Sequence, residues 1–197
     1  MQEIEIKLRL STVASAKRLL MQHNFKVVTP RHLERNLLLD TDPPTLRPVG
    51  VVLRLRQANG ETIVTYKGQG TVESKHKVRE ELEVSASTFA GTLAIFARLG
   101  YGPTFRYDKY RTVLARARER GQAMLDETPI GTFLELEGPA AWIDRTARLL
   151  GFTENDYLTA SYGALWAEHQ TAAGLPVGDF VFAGRRKVSP FHIDHIE

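Results

Sequence analysis

Like charges stand two residues apart at several places in this 197-residue sequence: Glu3 and Glu5, Arg54 and Arg56, Lys109 and Arg111, and Glu135 and Glu137. In an extended strand, this spacing puts both side chains on one face, about 7 Å apart. Charges held that close repel unless a counter-ion lies between them. Paired carboxylates suit hard divalent cations, and paired Lys or Arg side chains suit phosphate oxygens. The pattern therefore predicts a site for a metal-complexed polyphosphate.

A simpler interpretation places each charged row on the solvent-exposed face of an antiparallel sheet, where alternation is normal. Such a face usually also contains Thr, Ser, Asn and Gln, and these rows contain few of those residues. The sharper interpretation closes the sheet and turns the rows inward. Buried charges must be matched or hydrated, and a water-filled tunnel that binds a metal and a polyphosphate would meet that requirement.

The strands that carry these rows can be located from residue type. Residues 3–10 alternate charged and aliphatic side chains, which is typical of a strand. Asn59-Gly60 predicts a two-residue type I′ turn that joins strands 51–58 and 61–68. This turn pairs residues whose numbers sum to 119, so Arg54, Arg56 and Lys67 should share one face.

Several further segments predict strands: 78–84, 105–117, 122–127 and 132–137. The total is about eight strands, largely in hairpins, with helices between groups of them. This pattern predicts an α+β fold in which an antiparallel sheet of about eight strands curls or closes and is decorated by helices, and it argues against a doubly wound parallel sheet.

Three predicted helices end in a similar way, at Asn24-Phe25, Gly100-Tyr101 and Gly151-Phe152. Asn and Gly tolerate the left-handed conformation that closes a helix. The first helix should be capped by Ser11 or Thr12. A fourth helix is expected to carry Leu158, Tyr162, Leu165 and Trp166 on its apolar face.

Composition narrows the class of protein. Hydrophobic residues make up 43% of the chain and charged residues 25%, which is ordinary for a globular protein. The absence of cysteine excludes disulfides and thiolate chemistry, and no apolar run is long enough to span a bilayer. The formal net charge of +3 predicts no nucleic-acid partner. We expect a cytoplasmic protein without membrane attachment, and the sequence is compatible with a homodimer.

Residues 1–170 are interpreted as one domain and residues 171–197 as a tail or peripheral extension. Within that tail, His192 and His195 and the basic run Arg185-Arg186-Lys187 are interpreted as surface features. Trp142 and Trp166 are expected to pack in the core. Asp40 and Asp42 should belong to a turn that ends a strand, because Pro43-Pro44 follows.

The ordered set of charged motifs resembles the CYTH proteins, or triphosphate tunnel metalloenzymes, from residue 1 to about 168. The motifs that carry the resemblance are Glu3-x-Glu5-x-Lys7, Arg54-x-Arg56, Thr65-Tyr66-Lys67-Gly68, Arg79-x-Glu81-x-Glu83, Lys109-x-Arg111, Asp126, Glu135-x-Glu137 and Ser161-Tyr162. The segment 36–40 is similar to the second strand of the family. The resemblance implies an eight-stranded antiparallel tunnel, a Mg²⁺ or Mn²⁺ cofactor and a substrate that contains a triphosphate.

The resemblance also implies roles for individual residues. Five would bind the metal or hold its water ligands: Glu3, Glu5, Asp126, Glu135 and Glu137. Seven would grip phosphate oxygens: Lys7, Arg54, Arg56, Lys67, Arg79, Lys109 and Arg111. Among these, Glu5, Lys67 and Arg111 are the predicted catalytic residues. Glu81 and Glu83 would bind metal or orient the basic side chains.

The leading functional hypothesis is metal-dependent hydrolysis of inorganic tripolyphosphate or an organic triphosphate. The alternative is a class IV adenylate cyclase, which would convert ATP into cyclic AMP and pyrophosphate. Ala160 favours this alternative, since many hydrolytic members of the family carry a lysine before the Ser-Tyr pair. A non-catalytic binder of polyphosphate or nucleotide ranks below both, because the acidic pairs are present.

Overall fold

The structure is a computed structural model, and it describes residues 2–73 and 75–183. The basic run at 185–187 and the histidines His192 and His195 lie outside the described residues. Nine strands are formed: β1 (Gln2–Leu10), β2 (Lys26–Asp40), β3 (Val52–Ala58), β4 (Glu61–Lys67), β5 (Thr71–Glu73), β6 (His76–Ala86), β7 (Gly102–Ala115), β8 (Gln122–Thr128) and β9 (Gly131–Glu137). The helices are α1 (Val13–Gln22), α2 (Phe89–Arg98), α3 (Ala140–Leu149) and α4 (Tyr162–Ala172).

The strands form one antiparallel sheet that closes on itself. Its order is β1-β9-β8-β7-β2-β3-β4-β6-β5, and an additional pairing of β1 with β6 closes the barrel. β4 and β5 both pair with β6, with Lys67 opposite Glu81 and Thr71 opposite Val78. β5 therefore continues β4 after an interruption, and the barrel has eight positions around its wall. The predicted closed eight-stranded tunnel with helices is confirmed.

The predicted hairpin register is also confirmed. Asn59 and Gly60 have φ values of 51° and 82°, which a type I′ turn requires. Across β3 and β4, Arg54 lies opposite Thr65 and Val52 lies opposite Lys67. Arg54, Arg56 and Lys67 consequently face the barrel interior, whereas Leu53 and Val64 face α2.

The first three helices end as the sequence predicts. Asn24, Gly100 and Gly151 have φ values of 63°, 88° and 85°. The next residue in each case donates its backbone N–H to a carbonyl five residues earlier, as in Phe25 to Leu20 and Tyr101 to Phe96. These bonds satisfy carbonyl groups that a helix end would otherwise leave unpaired. Thr12 is the cap of α1 and accepts a hydrogen bond from the Ser15 backbone N–H.

The apolar core lies outside the barrel, between the sheet and the helices. The largest cluster joins Ile6 and Leu8 of β1 to Leu20 of α1 and to Trp142 and Ile143 of α3. A second cluster packs α2 against β2 and β3 through Leu93, Leu37 and Leu55. Because the apolar face of each strand is used on the outside, the alternate, charged face is left for the lumen.

One predicted helix differs in its start. Leu158 lies before α4 and forms two backbone hydrogen bonds with Lys7, each of 2.9 Å. The helix begins only at Tyr162, because Ser161 adopts extended backbone and caps it by accepting from the Ala164 N–H. The prediction that Leu158 belongs to this helix is therefore wrong. Tyr162, Leu165 and Trp166 do contribute to its packed face.

The chain after α4 returns to the barrel. Phe180 is fully buried, and its backbone bonds to Arg106 and Asp108 of β7 at 2.8 and 2.9 Å. It packs with Tyr162 and Leu165 of α4 and with Phe133 of β9. Ile130, in the turn between β8 and β9, borders the same cluster. α4 and this segment thus lie across the barrel end at which β8 turns into β9.

Candidate active site in the barrel lumen

The lumen contains a cavity of about 570 Å³. Its charged lining residues are Glu3, Glu5, Lys7, Glu34, Arg54, Arg56, Lys67, Lys77, Arg79, Glu81, Glu83, Lys109, Arg111, Glu135 and Glu137. The cavity therefore brings together every predicted site residue except Asp126, which lies beneath its wall. Residues that are up to 134 positions apart in the sequence meet here because the barrel closes between β1 and β6.

An acidic wall, formed by Glu3, Glu5, Glu135 and Glu137, runs along β1 and β9. Glu5 lies opposite Glu137 in the ladder, and Glu135 lies opposite Lys7. The Lys7 ammonium stands 3.3 Å from Glu5 and 3.4 Å from Glu135, so it bridges the two strands. Burial by itself would raise the pKa of Glu5, but Lys7 and Lys77 outweigh burial and hold it well below its usual range.

Glu137 behaves differently from its neighbours. Among the described residues, its carboxylate has no ion-pair or hydrogen-bond partner. Burial raises its pKa to about 7, and repulsion from Glu3 and Glu135 adds to this shift. No Lys or Arg side chain within residues 2–73 and 75–183 therefore pairs with the Glu137 carboxylate at this end of the acidic wall. A divalent cation would balance its charge.

The basic residues of the lumen are held by carboxylates. Lys67 donates to Glu3 at 3.0 Å and to Glu81 at 2.8 Å. Arg54 donates to Glu83 and to the Thr65 hydroxyl, each at 3.0 Å. These ion pairs hold the basic side chains in fixed positions along the lumen wall.

Asp126 lies under the basic residues of β7 and is fully buried. It accepts two hydrogen bonds from Arg111, each of 2.7 Å, one from Lys109 at 2.9 Å and one from the Tyr162 hydroxyl at 2.8 Å. Arg111 also contacts Glu135. Asp126 therefore positions two cations toward the lumen, and its predicted contact with a metal stays a prediction.

Glu34, Lys77 and Tyr107 line the lumen but were not found by sequence reasoning. The hydrogen bond from the Tyr162 hydroxyl to Asp126 was also not predicted. Two of the three lining residues extend rows already recognised, since Lys77 precedes Arg79 by two positions and Tyr107 precedes Lys109 by two. Glu34 was missed because β2 begins at Lys26, ten residues before the predicted start. It is buried, and one of its oxygens, Oε2, has no hydrogen-bond partner among the described residues.

The donor set fits a hard divalent cation, because the acidic wall offers oxygen ligands only. Within residues 2–73 and 75–183, no three carboxylate or histidine side chains converge as a ready-made metal site. Glu3, Glu5 and Glu135 point toward Lys and Arg partners instead. A bound cation would neutralise part of the carboxylate charge that these Lys and Arg side chains neutralise.

No helix in the described part of the chain combines the length and apolar character needed to cross a membrane. Trp142 of α3 is buried against the barrel, and Trp166 packs on Phe180, as predicted for both. Asp40 ends β2 and accepts backbone hydrogen bonds from Thr41, Thr45, Leu46 and Arg47, which confirms its expected place in a turn.

Comparison with known families and structures gives a consistent result. The CYTH domain family model matches residues 1–149. An adenylate cyclase candidate from Vibrio parahaemolyticus is 20% identical, with a TM-score of 0.70, over 81% of this chain and 94% of that one. A protein of Pyrococcus horikoshii OT3 is 23% identical, with a TM-score of 0.68, over 81% and 96%. No curated protein matches this sequence.

A plant protein, from Hippeastrum, covers more of the chain. It is 23% identical, with a TM-score of 0.61, over 89% of this chain and 97% of its own. It is described as an adenylyl cyclase candidate that reveals a dominant triphosphatase activity. At these identities the similarity shows a shared fold.

Proposed function

The chain belongs to the CYTH family, and from this premise we propose that it is a divalent-metal-dependent triphosphatase that works inside its barrel. The observation that carries the proposal is the composition of the cavity. One enclosed space holds an acidic wall from β1 and β9 together with lysines and arginines from β3, β4, β6 and β7. Members of this family act on triphosphate substrates and depend on divalent metals, and the two kinds of wall suit those two ligands.

Mg²⁺ or Mn²⁺ would be held by Glu3, Glu5, Glu135 and Glu137. When bound, such an ion neutralises phosphate charge and lowers the pKa of water. Asp126 would contribute indirectly, because it fixes Lys109 and Arg111. Glu137, the carboxylate without a partner among the described residues, is the group whose charge a cation would stabilise most.

The triphosphate would be gripped by the basic residues of the lumen: Lys7, Arg54, Arg56, Lys67, Arg79, Lys109 and Arg111. Burial alone would lower the pKa of Arg111, but Asp126 and Glu135 raise it well above its usual range, so the guanidinium stays charged. A permanently charged, immobile guanidinium stabilises the negative charge that develops on the phosphoryl oxygens in the transition state.

In the proposed reaction, a water oxygen forms a bond to the terminal phosphorus while the bond from that phosphorus to the bridging oxygen breaks. Orthophosphate and a diphosphate leave. Lys67, whose ammonium group is held between Glu3 and Glu81, would bind the phosphate under attack. Glu5 and Arg111 complete the catalytic set, and no covalent intermediate is required.

A class IV adenylate cyclase is the second candidate. In that reaction the ribose 3′-hydroxyl attacks the α-phosphorus of ATP, and pyrophosphate leaves. Ala160 favours it: the residue packs against the cluster of Phe133 and Tyr162 and supplies no charge. The Vibrio parahaemolyticus neighbour supports the cyclase by its description, whereas the Hippeastrum neighbour supports hydrolysis.

Phosphorus NMR of purified protein distinguishes the candidates. The protein would be incubated with Mg²⁺ or Mn²⁺ and with tripolyphosphate or ATP. Orthophosphate and a diphosphate as products support the triphosphatase. Cyclic AMP with pyrophosphate would replace it with the cyclase, and no turnover of either compound would leave a binding protein and contradict an enzymatic role.

A further inference from the structure

A second cavity, of about 260 Å³, lies between α3 and the loop that joins β7 to β8. Three arginines line it: Arg118 and Arg120 of the loop, and Arg145 of α3. None of the three lines the lumen. We call these residues the outer arginine cluster. Their positive charges come from two separate segments of the chain and meet at one surface.

The side chains of the outer arginine cluster are exposed and have no carboxylate partner. Within residues 2–73 and 75–183 they form no ion pair, no side-chain hydrogen bond and no contact with an aromatic ring. Arg116, in the same loop, is different, because it pairs with Glu119 at 2.9 Å. Like charges that converge on one cavity repel one another, and a bound anion would offset that repulsion.

The carboxylates closest to the cluster along the chain already have other partners. Glu119 also lines the cavity, but it accepts hydrogen bonds from Arg116 Nε, at 2.9 Å, and from the Trp142 indole. Asp144, the one acidic residue of α3, lies 2.9 Å from His76 Nε2. The described part of the chain therefore leaves the charge of the outer arginine cluster without a paired carboxylate.

The chemistry of three guanidinium groups at one cavity suits a phosphate group. A guanidinium donates parallel N–H bonds whose spacing matches two oxygens of one phosphate. Hydrogen bonds between charged partners are about twice as strong as those between neutral ones. Because Arg145 and the loop arginines line the same cavity, one phosphate between them could accept from both segments.

We propose that the outer arginine cluster is a binding site, outside the lumen, for a phosphate group that is either free or carried by a small organic molecule. At least one guanidinium of the loop and that of Arg145 would donate to its oxygens. The bound anion would thereby link the loop before β8 to α3, beside Trp142. This inference does not depend on the proposed function, because none of the three arginines lines the lumen.

Trp142 provides a local probe of this site, because its indole N–H donates to Glu119 in the wall of the cavity. The chain has one other tryptophan, Trp166, whose indole donates to the Gly178 carbonyl at 2.8 Å. In ¹⁵N–¹H NMR spectra at constant ionic strength and without divalent metal, inorganic phosphate should shift the Trp142 indole signal. The shift should saturate with a Kd of about 1 mM or lower. The Trp166 signal should not move, and Trp166→Phe assigns the two signals.

Substitutions on both sides of the cavity test the contacts. Arg120→Gln and Arg145→Gln should each weaken phosphate binding at least about tenfold, because each removes a charge-assisted hydrogen bond. Arg148→Gln is the matched control, since Arg148 is also exposed on α3 but does not line the cavity. It should bind phosphate like the wild type. Arg54→Gln changes the lumen and should leave the Trp142 response unchanged.

Glycerol 3-phosphate, titrated in the same way, distinguishes the two sources of the phosphate group. Tighter binding than that of inorganic phosphate would indicate an organic ligand, and weaker binding a free anion; both results support the site. The inference is overturned if the Trp142 signal does not shift, or if both tryptophan signals shift together without saturation. Unchanged affinity in Arg120→Gln and Arg145→Gln would also overturn it. So would loss of the response in Arg54→Gln, which would assign the binding to the lumen.

Discussion

At the scale of single residues, the lumen is a set of charges that largely balance one another before any ligand binds. Lys7 is shared by Glu5 and Glu135, Lys67 by Glu3 and Glu81. Isolated buried charges would be strongly unfavourable, so each pair lowers the free energy of the ligand-free barrel. The same pairs hold the groups where a metal and a triphosphate would meet them.

Replacing Glu5 by Gln removes one carboxylate from the acidic wall and keeps its shape. We expect metal-dependent turnover to fall on the order of 100-fold or more, because a proposed metal ligand is lost. The fold should persist, since Lys7 keeps Glu135 as a partner. Turnover assays with increasing Mg²⁺, combined with circular dichroism, would measure both effects.

Glu80→Gln is the control for this substitution. Glu80 lies on β6 opposite Gln2, in the same pair of strands as Glu5, but its side chain is exposed on the outside of the barrel. Turnover should match the wild type. If Glu5→Gln kept full metal-dependent activity, the proposed metal role of the acidic wall would be wrong.

Glu137 predicts a specific dependence of stability on pH. Its pKa is about 7 in the folded protein and 4.5 when unperturbed, so between these values the folded state binds more protons. The free energy of unfolding should therefore fall as pH rises from about 4.5 to 7. Relative to Glu137→Gln, wild-type protein should lose on the order of 2 kcal/mol between pH 5 and pH 8.

Urea unfolding of both proteins in EDTA, at pH 5, 6, 7 and 8, would measure this difference. Chelation matters because a bound divalent cation would favour the charged carboxylate. Two parallel curves of stability against pH would show that Glu137 titrates near its ordinary value.

At the scale of secondary-structure elements, a glycine can allow two segments of the chain to pack closely together. Gly121 precedes β8 and packs directly on the Trp142 ring of α3. A Cβ on Gly121 would lie 2.2 Å from Trp142 Cδ2, far inside contact distance. The indole cannot move easily, because it is buried and donates to Glu119. This contact fixes α3 against the loop before β8.

Gly121→Ala should consequently destabilise the protein by about 2 kcal/mol or more, as overpacking of a core contact does. Gly102→Ala is the matched control: nothing lies within 4 Å of a Cβ there, and its effect should stay within about 0.5 kcal/mol. Thermal melts of the two variants would test the pair. Equal melting temperatures would mean that α3 can shift away from β8 at little cost.

At the scale of the whole molecule, the barrel separates an apolar exterior from a charged interior. Helices cover β1, β8, β9, β2 and β3, so two hydrophobic clusters of the described residues lie around the barrel. A third cluster, which includes Phe133 and Phe180, lies across one end. α4 and the chain after it pack across one end. We propose that residues 1–170 form the tunnel domain and that the following chain is a peripheral extension whose Phe180 anchors it.

Phe180→Ala tests how much the extension contributes. Removing this fully buried ring should cost about 3–5 kcal/mol, because it leaves a cavity between α4 and β7. Leu175→Ala, in the same segment at 54% exposure, should cost less than about 0.5 kcal/mol. Denaturant titrations measure both. Similar small losses in the two variants would show that the extension is not needed for stability.

Much of the fold and part of the site could be predicted because they depend on local rules. The hairpin at Asn59-Gly60 determines the register of β3 and β4, and period-two alternation assigns Arg54, Arg56 and Lys67 to one face. Left-handed residues at Asn24, Gly100 and Gly151 mark three helix ends. Each of these follows from backbone sterics or strand geometry within a few residues.

The sequence-based predictions failed at two positions whose structure depends on residues far away in the sequence. Leu158 has helical spacing with Tyr162, yet its backbone pairs with Lys7, which is distant in sequence. Glu34 lies in a strand whose early part carries no clear alternation, and it enters the lumen only because β2 pairs with β7 over its length. Long-range pairing outweighed the local pattern at both positions.

The sequence by itself determined which side chains share a strand face, and therefore that acidic and basic rows exist and what ligands they suit. Only the tertiary structure decided that all the rows face one cavity, that Asp126 lies beneath it, and that Glu137 has no cationic partner among the described residues. The physical reason is that alternation specifies two faces of a strand without saying which one is inside. The pairing of β1 with β6, together with the packing of helices on the apolar side, determines which face is inside.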